Sequence, residues 1–116
     1  MGIERFEVGP RMSKAVKHGD TVYLAGQVAD ATKGESVAEQ TAEILAIIDA
    51  LLKDAGSHKS KILSVTIWLT DIKTFPEMNS VWDQWVPQGD TPARATVEAT
   101  LAAPDYKVEI AVIAAC

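Results

Sequence analysis

Apolar residues recur at helical spacing in two stretches of the chain. The first stretch opens with Ser36-Val-Ala-Glu39, a capping box in which the serine oxygen accepts a backbone N–H and the glutamate reaches back. Gly56 is a typical residue to end a helix. Between these points one helical face is apolar, at Val37, Thr41 (by its methyl), Ile44, Leu45, Ile48, Leu51, Leu52 and Ala55. The pattern predicts a helix with a long buried face.

A second capping box, Thr74-Phe-Pro-Glu77, predicts another helix, since proline is tolerated in the first helical turn. Pro87 and Gly89 mark where this helix ends. Its apolar stripe consists of Phe75, Met78, Trp82, Trp85 and Val86. We expect this stripe to pack on the same sheet as the first helix.

Around these helices the apolar period changes to two. The clearest case predicts a strand in which Leu63, Val65, Ile67 and Leu69 form an apolar face and Ser64, Thr66, Trp68 and Thr70 a mostly polar one. Further segments fit strands at residues 3–7, 11–17, 21–28, 93–101 and 106–115. The last two are separated by residues 102–105, with Pro104 in the turn, so we predict that they form a hairpin.

The predicted order of elements is βββαβαββ in a single domain of residues 1–116. Right-handed crossovers would place both helices on one face of a six-stranded mixed sheet, which is a two-layer α+β sandwich. Trp68, and with it Tyr23, then lies on the face that no helix covers. An isolated exposed aromatic residue is one reading of Trp68, and a subunit interface is the other, which we favour.

Composition and charge exclude several classes of protein. The chain has 116 residues, 47% of them apolar, which suits one globular domain with one core. A net charge of −5 disfavours a nucleic-acid partner, and no apolar run approaches the length that crosses a membrane. Cys116 is the single cysteine, so no intramolecular disulfide forms and the cytoplasm is the expected location.

Most familiar catalytic motifs are absent, including phosphate loops, dinucleotide fingerprints and metal-ligand spacings. Two polar positions are unusual. Arg94 lies on a strand whose alternate positions are apolar, and it is roughly 14 Å from Glu98 on the same face, too far to pair directly. Glu109 interrupts the apolar run 108–114, which costs energy unless the carboxylate is paired or hydrated. An ion pair and a functional site explain these two residues equally well.

Several motifs together resemble one known family along the whole chain. They are Gly26-Gln27 after an apolar strand, Asn79, Pro92-Ala93-Arg94 followed by Val97-Glu98, and Lys107-Val-Glu109-Ile. This set resembles the RidA (YjgF-like) family. Ile67-Trp68-Leu69-Thr70-Asp71 and the segment from Met78 to Trp85 are most similar to its YoaB-type branch.

The resemblance implies a chorismate-mutase-like fold and a homotrimer with ligand clefts between neighbouring subunits. It implies that Arg94 holds the carboxylate of a small imino acid and that Glu109 positions or activates the attacking water. The implied activity is hydrolysis of reactive enamines and imines, such as 2-aminoacrylate-like 2-imino acids, to keto acids and ammonia. No metal ion and no organic cofactor is expected.

The chain departs from the family pattern at three positions. Met12 stands where active members carry tyrosine, Ala25 where they carry serine, and Thr96 where they carry cysteine. Gly26, with Ala25 beside it, still offers backbone donors close to a ligand. The expected ligand-binding residues are therefore Arg94, Thr96, Gly26, Ala25 and Met12. The alternative to an enzyme is a non-catalytic trimer that binds small carboxylic acids as a sensor or scavenger.

Overall fold

Six strands and two helices make up the fold of the computed structural model, which describes residues 2–116. The strands are β1 (Ile3–Val8), β2 (Ser13–His18), β3 (Thr21–Gln27), β4 (Ile62–Leu69), β5 (Ala93–Glu98) and β6 (Val108–Ala115). The helices are α1 (Val37–Asp54) and α2 (Phe75–Trp85). Short 3-10 turns precede β4, at Lys59–Lys61, and α2, at Ile72–Thr74. The predicted order βββαβαββ is confirmed.

The strands form one sheet in the order β1-β2-β3-β6-β4-β5. The β4–β5 pair is parallel, and every other neighbouring pair is antiparallel. The sheet is therefore mixed, and the predicted α+β class is confirmed. Within residues 2–116, neither helix combines the length and the apolar character needed to cross a bilayer.

The predicted hairpin between the last two strands is wrong. β5 pairs only with β4, while β6 lies on the other side of β4 and pairs with both β4 and β3. The connection does contain a turn, in which the Tyr106 N–H donates to the Ala103 carbonyl over 3.2 Å, but the chain passes the end of β4. Local turn residues predicted the turn correctly and could not specify which strand β6 would pair with.

Helix α1 begins as predicted. Ser36 is its N-cap residue and its side chain accepts the Glu39 N–H over 3.1 Å. The helix ends before Gly56, whose φ of 78° is in the left-handed region that glycine tolerates. All eight positions of the predicted apolar stripe are buried.

Helix α2 also begins where predicted, but the second capping box is wrong. Thr74 makes no side-chain cap bond to the helix, because its hydroxyl donates to the Asp71 carbonyl over 2.6 Å within the preceding 3-10 turn. Glu77 instead accepts the Ala38 N–H over 2.8 Å, at the start of α1. The glutamate therefore joins the two helices, since it satisfies an unpaired N–H of α1 from a residue on α2.

The core lies on the sheet face beneath the helices. Val65, Ile67 and Leu69 of β4 are buried there. Leu63, predicted on the same face, is 53% exposed, and Ile62 is buried in its place. A register shift between β4 and β6 at Ile62/Ser64 reverses the alternation at this end of the strand.

The opposite face of the sheet is not covered by a helix, although it carries large aromatic and apolar side chains. Cross-strand pairing puts Val97, Trp68 and Glu109 in one row across β5, β4 and β6. Tyr23 and Ile113 are paired in a second row and are 48% and 37% exposed. The predicted position of Trp68 and Tyr23 on this uncovered face is confirmed.

Gln40 is a fully buried polar residue of α1 that fixes the connection into β6. Its amide nitrogen donates to the carbonyls of Glu35 and Asp105 over 3.2 and 3.0 Å. Its amide oxygen accepts the Lys107 N–H over 2.9 Å. Because Lys107 directly precedes β6, these bonds set the point at which that strand enters the sheet.

We predict that Gln40→Leu lowers the free energy of unfolding by about 2–4 kcal/mol, since three backbone groups lose their partner in a buried place. Urea denaturation at one fixed protein concentration measures the change. Gln84→Leu, the same replacement at an exposed position of α2, is the control and should stay within about 0.5 kcal/mol. Equal effects of the two variants would contradict the structural role of Gln40.

Candidate functional site

Arg94 lies on the helix side of β5, opposite a stripe of three residues on α2. Phe75, Asn79 and Trp82 are spaced i, i+4 and i+7, which places them on one helix face. The Arg94 Nη1 atom donates to the Asn79 Oδ1 atom over 2.9 Å. The Arg94 Cζ atom lies 5.5 Å from the ring centre of Phe75 and 5.1 Å from that of Trp82. Both distances are in the range of cation–π interactions.

The guanidinium of Arg94 is partly buried and retains its charge. Burial lowers its pKa, and the nearby Asp83 carboxylate opposes this effect. Thr96 follows on the same face of β5, and its hydroxyl oxygen is buried without a hydrogen-bond partner among residues 2–116. We call Arg94, Thr96, Phe75, Asn79 and Trp82 the arginine half-site.

Glu109 lies on the uncovered face of β6, beside Gly26 of β3. A Cβ atom at Gly26 would overlap the Glu109 Oε2 atom, so the missing side chain leaves the space that the carboxylate occupies. Gly26 and Ala25 lie in a register shift of β3 between Leu24 and Gln27. We call Glu109, Ala25 and Gly26 the glutamate half-site.

Burial raises the pKa of Glu109, and no hydrogen bond or charge among residues 2–116 offsets this effect. Its neighbours along the cross-strand row are Trp68 and Val97, which supply no donor at the carboxylate. A partly buried carboxylate without a partner is unusual in a structural role, because desolvation of the charge is not repaid.

Arg94 and Glu109 do not meet within one chain. Arg94 pairs in register with Val65, whose side chain lies in the core, whereas Glu109 pairs with Trp68 on the opposite face. Strand β4 also separates the two strands that carry them. Met12, the remaining predicted ligand-binding residue, is 63% exposed in the turn between β1 and β2. The structure therefore divides the predicted residues into two half-sites and the Met12 turn.

Comparison with known proteins gives consistent matches over the whole chain. The family model described as Endoribonuclease L-PSP matches residues 3–116. A RutC family protein from Haemophilus influenzae is 46% identical over 116 residues, or 100% of both chains. The RutC family protein YoaB from Escherichia coli is 46% identical over 115 residues, or 99% of both chains. This chain belongs to the YjgF/RutC family.

A solved YjgF family structure agrees with this assignment. The protein from Neisseria meningitidis has a TM-score of 0.96 and 45% identity, and the match covers 99% of this chain and 95% of that one. The resemblance to RidA/YjgF proteins, and to the YoaB-type branch, is thus confirmed, together with the fold that it implied.

The two aromatic partners of Arg94 in this YjgF/RutC family chain are the part of the site that the sequence patterns did not predict. The helical stripe assigned Phe75 and Trp82 to the core, yet Phe75 is 36% exposed and both rings contact Arg94. The i, i+4, i+7 spacing of these two residues with Asn79 was a usable signal. To interpret this spacing, one would have to know that α2 faces β5.

A groove elsewhere on the molecule contains no residue of either half-site. A groove of about 290 Å³ runs between α1 and α2, where the Trp85 Nε1 atom donates to the Asp49 Oδ2 atom over 2.9 Å. Its lining contains neither Arg94 nor Glu109. Among residues 2–116 no three His, Cys, Asp or Glu side chains are grouped so as to hold a metal ion.

We predict that Gly26→Ala destabilises the fold through Glu109 alone. The added methyl group must displace the carboxylate, at a cost of about 1 kcal/mol because the end of a glutamate side chain is flexible. A double-mutant cycle with Glu109→Ala, measured by urea denaturation, should reduce this cost to near zero. Gly2→Ala, with nothing within 4 Å of the new Cβ, is the control. A cost that persists without Glu109 would contradict the contact.

Proposed function

We propose that this protein hydrolyses reactive enamines and imines, chiefly 2-imino acids of the 2-aminoacrylate type, to keto acids and ammonia. The reaction takes place in a homotrimer, in clefts that the arginine half-site of one subunit forms with the glutamate half-site of its neighbour. Arg94 binds the substrate carboxylate, and Glu109 accepts and donates the protons that the reaction transfers. The cytoplasm is the expected location, in keeping with the single cysteine, Cys116.

The observation that carries this proposal is the separation of Arg94 and Glu109 on opposite faces of one sheet. A small substrate that contacts both residues must lie between two copies of the chain. The uncovered face offers surface for such an assembly, because Tyr23, Val97 and Ile113 are exposed there. Closed rings of identical subunits bury such faces, and the clefts between neighbours are natural ligand sites.

The chemistry needs few groups. A guanidinium presents a planar fork of donors that binds a carboxylate through two parallel hydrogen bonds, which orients the attached C=N carbon. Water adds to that electrophilic carbon while Glu109 accepts its proton. Glu109 passes this proton to the imine nitrogen, which gives a carbinolamine. It then moves the hydroxyl proton of the carbinolamine to the same nitrogen as the carbon–nitrogen bond breaks, so ammonia leaves and a keto acid remains. A pKa raised by burial suits a carboxyl group that must both accept and return a proton.

Thr96 and the two glutamate half-site neighbours have supporting roles in this proposal. The unpartnered Thr96 hydroxyl lies on the same strand face as Arg94 and can bond a second ligand oxygen. Gly26 leaves room for the Glu109 carboxylate, and the backbone of Ala25 and Gly26 beside that carboxylate can bond the ligand. Met12 contributes an apolar side chain from the β1–β2 turn to the wall of the cleft.

A second candidate is a trimer that binds small carboxylic acids without turnover. Met12 and Ala25 favour it, because neither provides the hydroxyl that active relatives of RidA type are expected to carry there. Carboxylate recognition by Arg94 is common to both candidates, so they differ only in whether the bound water is activated.

RNA cleavage, the activity in the description of the family model, is not the function that we propose. The net charge of −5 repels a phosphate backbone, and the eleven basic residues are scattered along the chain. Arg94 is also partly buried beneath two rings, which suits a small planar anion better than a polymer.

We predict that wild-type protein accelerates keto-acid and ammonia release when a dehydratase generates 2-iminobutanoate. Glu109→Gln should reduce this acceleration by about 10²-fold or more, with near-normal carboxylate affinity, because glutamine keeps the size of the side chain and cannot act as a base. Glu98→Gln, at an exposed carboxylate of β5, is the matched control and should keep full activity.

Two outcomes decide between the candidates. Full activity in Glu109→Gln would contradict the role of Glu109, while carboxylate binding without any turnover in the wild type would favour the non-catalytic binder. In that second case, Met12→Tyr together with Ala25→Ser tests directly whether the missing hydroxyl groups are the cause.

A further inference from the structure

Within residues 2–116, the hydrogen-bond and aromatic partners of Arg94 are electrically neutral, which is unusual for a partly buried guanidinium. The Arg94 Nη1 atom donates to the Asn79 amide oxygen, and the guanidinium lies near the rings of Phe75 and Trp82. Asp83 acts on Arg94 only through its longer-range charge. Neutral partners can hold the guanidinium in place without neutralising it, so its charge stays available for an anion.

Phe75 lies beside Arg94 and outside the buried core. Its side chain is 36% exposed at the first position of α2, whereas Met78 and Trp82 on the same helix are buried. Its ring centre lies 5.5 Å from the Arg94 Cζ atom, close to the 5.1 Å of Trp82. Together with the Asn79 bond, the two rings restrict the rotation of the guanidinium plane.

We propose that Phe75 and Trp82 are positioning residues for Arg94, and that they make this site selective for planar carboxylates over tetrahedral anions of equal charge. A fixed fork matches the two coplanar oxygens of a carboxylate, whereas a rotating one accepts either geometry. The inference rests on the proposed binding of a carboxylate by Arg94, and it does not depend on whether the bound ligand is hydrolysed.

The test compares two monoanions with the same alkyl chain, butanoate and propane-1-sulfonate, by titration calorimetry. Wild-type protein should bind butanoate more tightly. Phe75→Leu should weaken butanoate binding by about threefold to thirtyfold and shift the ratio of the two affinities towards one, because a guanidinium stacked on one ring fewer is less restrained. Phe75→Tyr retains a ring and should restore both the affinity and the ratio.

Tyr106→Leu is the matched control, since it removes a ring that lies 5.1 Å from the Lys33 Nζ atom, in a different cation–π pair. It should change neither affinity. Thermal unfolding of all variants separates loss of fold from loss of orientation, and Phe75→Leu should remain folded because its ring is partly exposed.

Nitrogen-15 NMR of the arginine side chains tests the orientation without any ligand. Arg5, Arg11 and Arg94 are the arginines of the chain, so the Arg94 signal is assigned by its loss in Arg94→Lys. Rotation about its Cζ–Nε bond should be slow in the wild type and in Phe75→Tyr, and faster in Phe75→Leu.

An unchanged affinity ratio and an unchanged rotation rate in Phe75→Leu would overturn the positioning role. Wild-type protein that binds neither anion would overturn both this inference and the proposed function. Butanoate binding with the expected response to Phe75→Leu, but without imine hydrolysis, would support the positioning role. It would contradict only the catalytic part of the proposed function.

Discussion

The pairing of β6 with β3 on one side and β4 on the other determines where every candidate site residue lies. Side chains on a strand alternate between faces, so register alone decides which residues meet the helices and which meet solvent. Because β4 lies between β5 and β6, the residues of the last two strands are never neighbours. The bonds of the buried Gln40 side chain to Asp105 and Lys107 hold the connection that makes this arrangement possible.

This constraint leaves two opposite charges incompletely satisfied in one protomer. Arg94 is held by neutral groups under α2, and burial raises the pKa of an unpaired Glu109 on the other face. Each charge is partly desolvated, which strengthens its attraction for a complementary group. The trimer that we propose, in which neighbouring subunits bring these charges to the two ends of one small ligand, would satisfy both of them.

Sequence patterns predicted the elements better than their arrangement. The α1 stripe and the Ser36 cap were correct because local periodicity and capping depend on neighbouring residues. The hairpin was wrong because turn residues do not choose strand partners, and Leu63 was misplaced by a register shift that no local signal announces. Thr74 was misassigned because its hydroxyl had a competing carbonyl acceptor at Asp71.

The sequence likewise identified the main candidate site residues but not their arrangement. Arg94 and Glu109 stood out because charged side chains were out of place in apolar alternation, and the family resemblance gave them roles. That they lie on opposite faces required the strand order, since alternation within one strand does not say which face the helices cover. The contact of Phe75 with Arg94 required the packing of α2 over β5 as well.

The most direct test of a site shared between subunits is complementation between two inactive variants. Arg94→Ala and Glu109→Gln proteins, unfolded together in equal amounts and refolded, should regain about a quarter of wild-type imine hydrolysis. Each cleft takes Arg94 from one subunit and Glu109 from its neighbour, so random mixing gives both intact residues in about a quarter of the clefts. Light scattering confirms that the mixture refolds to the same mass as the wild type. Activity no greater than that of the separately refolded variants would contradict the account.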